Sequence, residues 1–157
     1  MPNKVEWSPR LQETLDKLKH DLSNAVKLYT VDFSKEFGLS VDASGVAVGC
    51  CLFQWSPEGE ERPVAFASSK LTDVQTRWAT IEREAYGCIW ALKRFRAWVF
   101  LGRVTIFSDH NPLTFLTEAA PKSAKLTRWA LALQEFQIQF RFRPGRHNLV
   151  ADFLSRM

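Results

Sequence analysis

The chain has 157 residues, of which 46% are hydrophobic, with twelve Phe, six Trp and a net charge of +4. That length suits one domain with a full core, and that apolar and aromatic content excludes a disordered segment. No run approaches the length of a membrane span, and "MPNKVEWSPRLQ" lacks the apolar centre of a signal peptide, so an intracellular chain with no membrane partner is expected.

Ser8-Pro9 starts a helix with Leu11, Leu15, Leu18 and Leu22 at helical spacing, a packing or linking element. "KLYTVDFSKEF" is a turn-rich connector. "GLSVDAS" and "VAVGCCLFQW" are two strands around a polar break near Ser44-Gly45. "SPEGEER" is a turn and "PVAFASS" a third strand, which suggests an antiparallel meander. One long helix, Thr80 to Phe100, follows. "RVTIFS" is a fourth strand, "NPLTFLTEA" and "SAKLTRWALALQ" are helices separated by Pro121, and "FQIQFRFR" is a fifth strand with strict alternation. "PGRH" turns into a last short helix, "NLVADFLSR". This order predicts an α/β fold: a five-stranded mixed sheet, three antiparallel strands then two more, flanked by helices. The three cysteines, Cys50, Cys51 and Cys88, are too few for a disulfide framework and show no zinc spacing. They read as reduced core residues.

Four acids stand where a core is expected. In "LSVDAS", Leu39 and Val41 share one face of the strand while Ser40 and Asp42 share the other. Glu84 lies on the edge of the helical stripe Ile81, Ala85, Cys88, Leu92, Phe95, where an unpaired carboxylate is costly; Glu82 and Arg83 point elsewhere, as solvated surface. Asp109 directly follows the apolar strand "VTIFS". Asp152 sits in the terminal helix beside Val150, Phe153 and Leu154. Each acid alone has an ordinary reading as a turn residue, a salt-bridged helix residue or an exposed helical Asp. If the first and fourth strands are central neighbours, however, Asp42 and Asp109 project together and the two helices bring Glu84 and Asp152. Four clustered acids without a basic partner repel one another. A divalent cation resolves that repulsion, and all-oxygen ligands suit magnesium or manganese. Two such ions can activate a water and stabilise a leaving oxygen on a phosphodiester.

The motifs "VDASGVAVGCCLFQ", "RPVAFASSKLT", "TIEREAYGCIWALKRFRAWVFLGRVTIFSDHNPLTFL" and "RWALALQEFQIQFRFRPGRHNLVADFLSR" cover about residues 38 to 156. In combination they resemble the ribonuclease H domain of gypsy-type (Metaviridae) LTR-retrotransposon reverse transcriptases. The resemblance implies a ribonuclease H-like fold over residues 37–157, with residues 1–36 as a helix and connector from the polymerase part. It implies two Mg²⁺ or Mn²⁺ held by Asp42, Glu84, Asp109 and Asp152, with Asp42 shared by both ions and Asp152 on the attacking-water side. The implied reaction is endonucleolytic hydrolysis of the RNA strand of an RNA–DNA hybrid during reverse transcription. The hybrid is read by shape and by the 2′-hydroxyl. The implied partners are the hybrid and a polymerase domain in cis, and the implied location is the cytoplasm, in retroelement particles.

The sequence departs from the family pattern in places. "VDAS" stands where "TDAS" is common. The segment "RPGRHNLVAD" is shorter than the His-bearing loop of many cellular members, although His147 lies close by. A long basic protrusion is not evident, which implies a weak grip on the hybrid without the polymerase. The polymerase and integrase motifs are absent, as in an excised domain or a domesticated fragment.

Thr80, His110, Asn111, Arg128 and His147 are candidate substrate contacts. Arg83, Arg141 and Arg143 are further cations able to meet phosphate, although for Arg128, Arg141 and Arg143 solvated surface is the favoured reading. For Thr80 and Asn111 the competing role is a helix cap. Trp90, Trp98 and Trp129 read as core. The alternative function is a catalytically weak or domesticated domain that binds nucleic acid or scaffolds. An integrase core is disfavoured because neither Glu118 nor Glu135 lies at the required distance after Asp109.

Overall fold

The computed structural model describes residues 7–25, 27–111, 116 and 123–156. Helix α1 (Pro9–Ala25) exposes Leu11 and Leu18. The connector after it is tied to the domain: Tyr29 N donates to Pro63 O, and Gln54 both accepts from Asp32 N and donates to Asp32 O. Strands β1 (Phe37–Ala43), β2 (Ala47–Trp55) and β3 (Glu61–Lys70) form the antiparallel meander. Gly59, at φ 85°, closes the turn between β2 and β3 in a conformation that suits glycine. Then follow α2 (Asp73–Thr76), α3 (Thr80–Arg94), α4 (Arg96–Val99), β4 (Arg103–Ser108), α5 (Ala124–Gln134), β5 (Gln137–Phe142), a 3₁₀ turn at Gly145–His147 and α6 (Leu149–Leu154).

The sheet order is β3-β2-β1-β4-β5, with β1–β4 and β4–β5 parallel. A parallel return from the meander to β4 needs a long crossover, and α3 supplies it. The alternation in β1 separates the two faces of the sheet. Leu39 and Val41 join Leu52, Ile106, Ala85, Cys88 and Leu92 in the main core under α3. Ser40 and Asp42 point to the other face, where Cys51, Phe53 and Phe107 form a smaller cluster and where α6 packs on β1 and β2. The three cysteines are free and buried, as expected, and burial pushes the Cys50 and Cys51 thiols up to about 12, so they stay neutral.

Two expectations need correction. The long helix does not run unbroken to Phe100. It leaves the helical path at Phe95 (φ −103°, ψ 15°), whose ring is buried and stacks on Trp98 at 5.8 Å before α4 begins. Burial of that ring outweighs one more regular turn. Arg143 is not a free cation on the last strand: it lies just past β5, its guanidinium 4.0 Å from the Phe107 ring centroid, bonded to Ser40 Oγ at 3.1 Å and paired with Glu61. It straps the outer face instead of waiting for phosphate. The helix expected over "NPLTFLTEA" lies outside the described residues except for Leu116, which is buried in the core. Among the described residues no helix is long and apolar enough to cross a membrane.

Candidate active site

The four acids reach one end of the sheet from four elements. β1 and β4 pair in parallel with Ser40 opposite Phe107, and continuing that register puts Asp42 level with Asp109. This is the carboxyl end of parallel strands, where open α/β sheets hold ligands. α3 brings Glu84 from one face and α6 brings Asp152 from the other. Asp42, Glu84, Asp109 and Asp152 all line a cleft of about 430 Å³, together with Thr80, His110, Gly145, Arg146, Leu149 and Arg156.

Two glycines allow both approaches. A Cβ on Gly87 would stand 3.3 Å from Val41 Cγ1, so α3 lies close on β1 one turn after Glu84. A Cβ on Gly49 would stand only 2.6 Å from Ala151 O, Leu154 Cβ and Ser155 N. Gly49 is the register partner of Asp42. The missing side chain therefore lets α6 sit directly against the strand pair that carries Asp42.

The inner acids carry the electrostatic load. Glu84 is 2% exposed. Its Oε1 accepts from Ala43 N at 3.3 Å, while its buried Oε2 has no partner. Burial, then the charges of Asp42 and Asp109, push its carboxyl up to about 8. Burial also raises Asp42, with Asp109 and Asp152 adding to the effect and the Ser155 hydroxyl opposing it. The outer acids are half-buried and have nitrogen donors beside them. His110 Nδ1 lies 2.8 Å from Asp109 Oδ1. Arg156 donates to Asp152 Oδ1 through Nε at 2.9 Å and Nη2 at 2.8 Å, which holds that carboxyl below its usual range. The expectation of acids without a basic partner is thus corrected on the outer side: an arginine four residues further on, just past the end of α6, reaches back to Asp152.

An oxygen-rich cleft with a buried, unpartnered carboxylate oxygen fits a divalent cation. Glu84, Asp109 and His110 each offer a ligand atom within 4.8 Å of the others.

The remaining candidates divide. Thr80 lines the cleft as the first residue of α3, and Ala79, not Thr80, is its N-cap. His110 lines the cleft and also borders a small cavity with Asn111, Phe140, Arg141 and Phe142. Arg128 on α5 and His147 in the 3₁₀ turn are exposed and are not among the residues lining the cleft. Arg83 is not solvated surface: it donates to the carbonyls of Thr76 and Trp78, which ties α2 to α3. Glu82 pairs with Lys125 at 2.9 Å. Trp129 packs partly buried between Trp78 and Tyr86, as a core reading expects. Sequence reasoning passed over Asn148, Ser155, Arg156 and Arg146. Asn148 is buried and donates to Val41 O at 3.0 Å, fixing the start of α6 against β1.

A family model for the RNase H-like domain found in reverse transcriptase matches residues 32–136. The chain belongs to this family. It is 38% identical over 97% of its length to the retrovirus-related Pol polyprotein from transposon 412 and 36% identical over 92% to that from transposon opus, both of Drosophila melanogaster. It is 33% identical over 97% to the transposon Tf2-3 polyprotein of Schizosaccharomyces pombe. The chain spans only 12–14% of the length of these relatives. The fold also matches a foamy viral protease-reverse transcriptase solved with an RNA/DNA hybrid (TM-score 0.66, 17% identity, 92% of this chain and 20% of that one). It further matches RNase H1 of Halobacterium salinarum (TM-score 0.52, 18% identity, 76% of this chain and 92% of that one). The ribonuclease H-like fold and the retrotransposon kinship read from the motifs are both borne out.

Proposed function

We propose that this RNase H-like domain is a divalent-metal-dependent nuclease that hydrolyses the RNA strand of RNA–DNA hybrids, working in cis with a reverse-transcriptase polymerase. The observation that carries the reading is the convergence of Asp42, Glu84, Asp109 and Asp152 on one cleft, with a buried Glu84 oxygen left unpartnered. A purely structural acid cluster has no use for that orphan atom, whose desolvation costs on the order of 1–3 kcal/mol or more. The family membership, and the RNA/DNA hybrid bound by the structurally similar foamy viral protease-reverse transcriptase, support this choice of substrate class.

In this reading the four carboxylates hold two magnesium or manganese ions. Bound there, the ions supply Lewis acidity toward a water and a phosphodiester. The chain's own groups do the rest. Asp42 and Glu84, anchored at the end of β1, fix the inner side of the site. His110 steadies Asp109 and presents its ring to the cleft. Arg146 and Thr80 border the same cleft, where a backbone phosphate can be met. Water adds across the P–O3′ bond, leaving a 3′-hydroxyl and a 5′-phosphate.

The test is cleavage of a labelled RNA–DNA hybrid with either metal, beside Asp42→Asn. Loss of one ligand removes several kcal/mol of charge stabilisation, so the variant is expected to be slower by about a thousandfold or more. Cleavage unchanged in Asp42→Asn sinks the metal assignment. No cleavage by the wild type, even with its polymerase segment restored, favours a scaffolding domain.

A further inference from the structure

Asp152 is followed in "DFLSR" by two polar residues that the proposed chemistry does not use, and one of them is enclosed. Ser155 is 0% exposed. Its Oγ lies 2.7 Å from Asp42 Oδ2 and 2.8 Å from the main-chain oxygen of Asp152. The hydroxyl has one hydrogen, so it serves one acceptor at a time. The Asp152 carbonyl is the usual back-bonding acceptor for a serine on a helix, but an ionised carboxylate is the stronger one.

The rest of Ser155 is pinned. Its N donates to Ala151 O at 3.0 Å. Its carbonyl accepts from Ser44 Oγ, and the neighbouring Leu154 carbonyl accepts from Ser68 Oγ at 2.6 Å. These are two of the carbonyls that a helix C-terminus leaves without partners. Ser44 in turn accepts from Val46 N and Ala47 N, each at 3.1 Å, and so fixes the β1–β2 turn that follows Asp42. The absence of a side chain on Gly49 brings α6 close enough for all of these contacts.

We infer that Ser155 is a positioning residue: its hydroxyl, held by the serine-tied end of α6, fixes the Asp42 carboxylate for metal binding. This rests on the metal-site reading above. Contact with the proposed ligand runs through a neutral donor, which leaves the negative charge of Asp42 available to a cation where an Arg or Lys would offset it. One short helix thereby contributes both an acid, Asp152, and the group that aims a second acid 113 residues away. Outer contacts of this kind typically govern metal affinity by about ten- to a hundredfold.

The experiment is manganese binding to the metal-free chain without nucleic acid, read by electron paramagnetic resonance, for the wild type, Ser155→Ala, Ser155→Cys and Asp42→Asn. Thermal melting of each metal-free protein is recorded alongside. Ser155→Ala is expected to bind manganese about tenfold more weakly. Ser155→Cys, a weak donor of similar size, is expected to fall between the two. This order should hold whatever the order of melting temperatures, which a merely structural role would not produce. Affinity in Ser155→Ala and Ser155→Cys equal to or above wild type overturns the assignment of Ser155 while leaving the metal site standing. Should the alanine variant fail to fold, the cysteine variant decides alone, since it changes a single atom. No manganese binding by the wild type, or undiminished binding by Asp42→Asn, contradicts the metal-site reading itself.

Discussion

The inner and outer halves of the cleft solve the same electrostatic problem in opposite ways. Asp42 and Glu84 are buried, lie close to like charges, and have their carboxyls pushed upward. Asp109 and Asp152 sit nearer solvent, each against a nitrogen donor of the chain, the His110 ring or the Arg156 guanidinium. The outer half has its own partners: Arg156 pairs with Asp152 as an ordinary surface ion pair, and the His110 ring bonds Asp109. Only the inner half is left short of a partner, and under the proposed function a cation from outside would supply the missing positive charge.

The largest expected effect breaks this contrast from the inside. Glu84→Gln removes the buried carboxylate, and hybrid cleavage should fall by about a thousandfold or more. The metal-free protein, in contrast, should become more stable at high pH. The folded value of about 8 lies above the ordinary 4.5, so the stability Glu84 contributes is complete below pH 4.5 and is lost as pH rises through about 8. Wild-type, metal-free protein should therefore weaken across that window in urea melts, and Glu84→Gln should flatten the slope. Asp152, held below its ordinary value by Arg156, has the opposite sign: its contribution is present above that ordinary value and lost as pH falls through the folded one.

Next in size come the glycines. Gly49→Ala drives a methyl into Ala151, Leu154 and Ser155 at 2.6 Å. It should cost about 1–3 kcal/mol in denaturant melts and should loosen α6, weakening manganese binding through Asp152 and Ser155. Gly87→Ala meets Val41 Cγ1 at 3.3 Å, with Val48 Cγ1 at 3.5 Å and Ala43 Cβ at 3.8 Å in ordinary contact, and gains helix propensity, so it should cost far less than Gly49→Ala by the same melts. Equal penalties at the two positions would refute the asymmetry between a tight α6 contact and a looser α3 contact. The smallest effect is Arg156→Gln. With its own cation removed from Asp152, the outer half should bind manganese somewhat more tightly, while melting hardly changes for an exposed pair.

Much of this was legible in the sequence because it is local and periodic. The β1 alternation put Asp42 on the face opposite Leu39 and Val41, and the α3 stripe put Glu84 at its edge. A strand ending at Ser108 put Asp109 at a rim. What the sequence hid is long-range or locally competitive. Ser155 meets Asp42 across 113 positions and Arg143 meets Ser40 across 103, and no spacing rule encodes either contact. The break at Phe95 reflects the burial of one ring, a tertiary demand that overrides helical propensity. Arg156 was readable in principle, as a basic residue four places after Asp152 on a helix.

The most direct measurement is calorimetric titration of manganese into the metal-free domain near neutral pH, in buffers of different ionisation heat, for the wild type and Asp109→Asn. Because burial and the neighbouring acids push the Glu84 carboxyl up to about 8, filling the site should release up to one proton per domain, and Asp109→Asn should lose most of the affinity. Absence of binding, or binding that Asp109→Asn leaves intact, would contradict the claim that these four acids form a metal site.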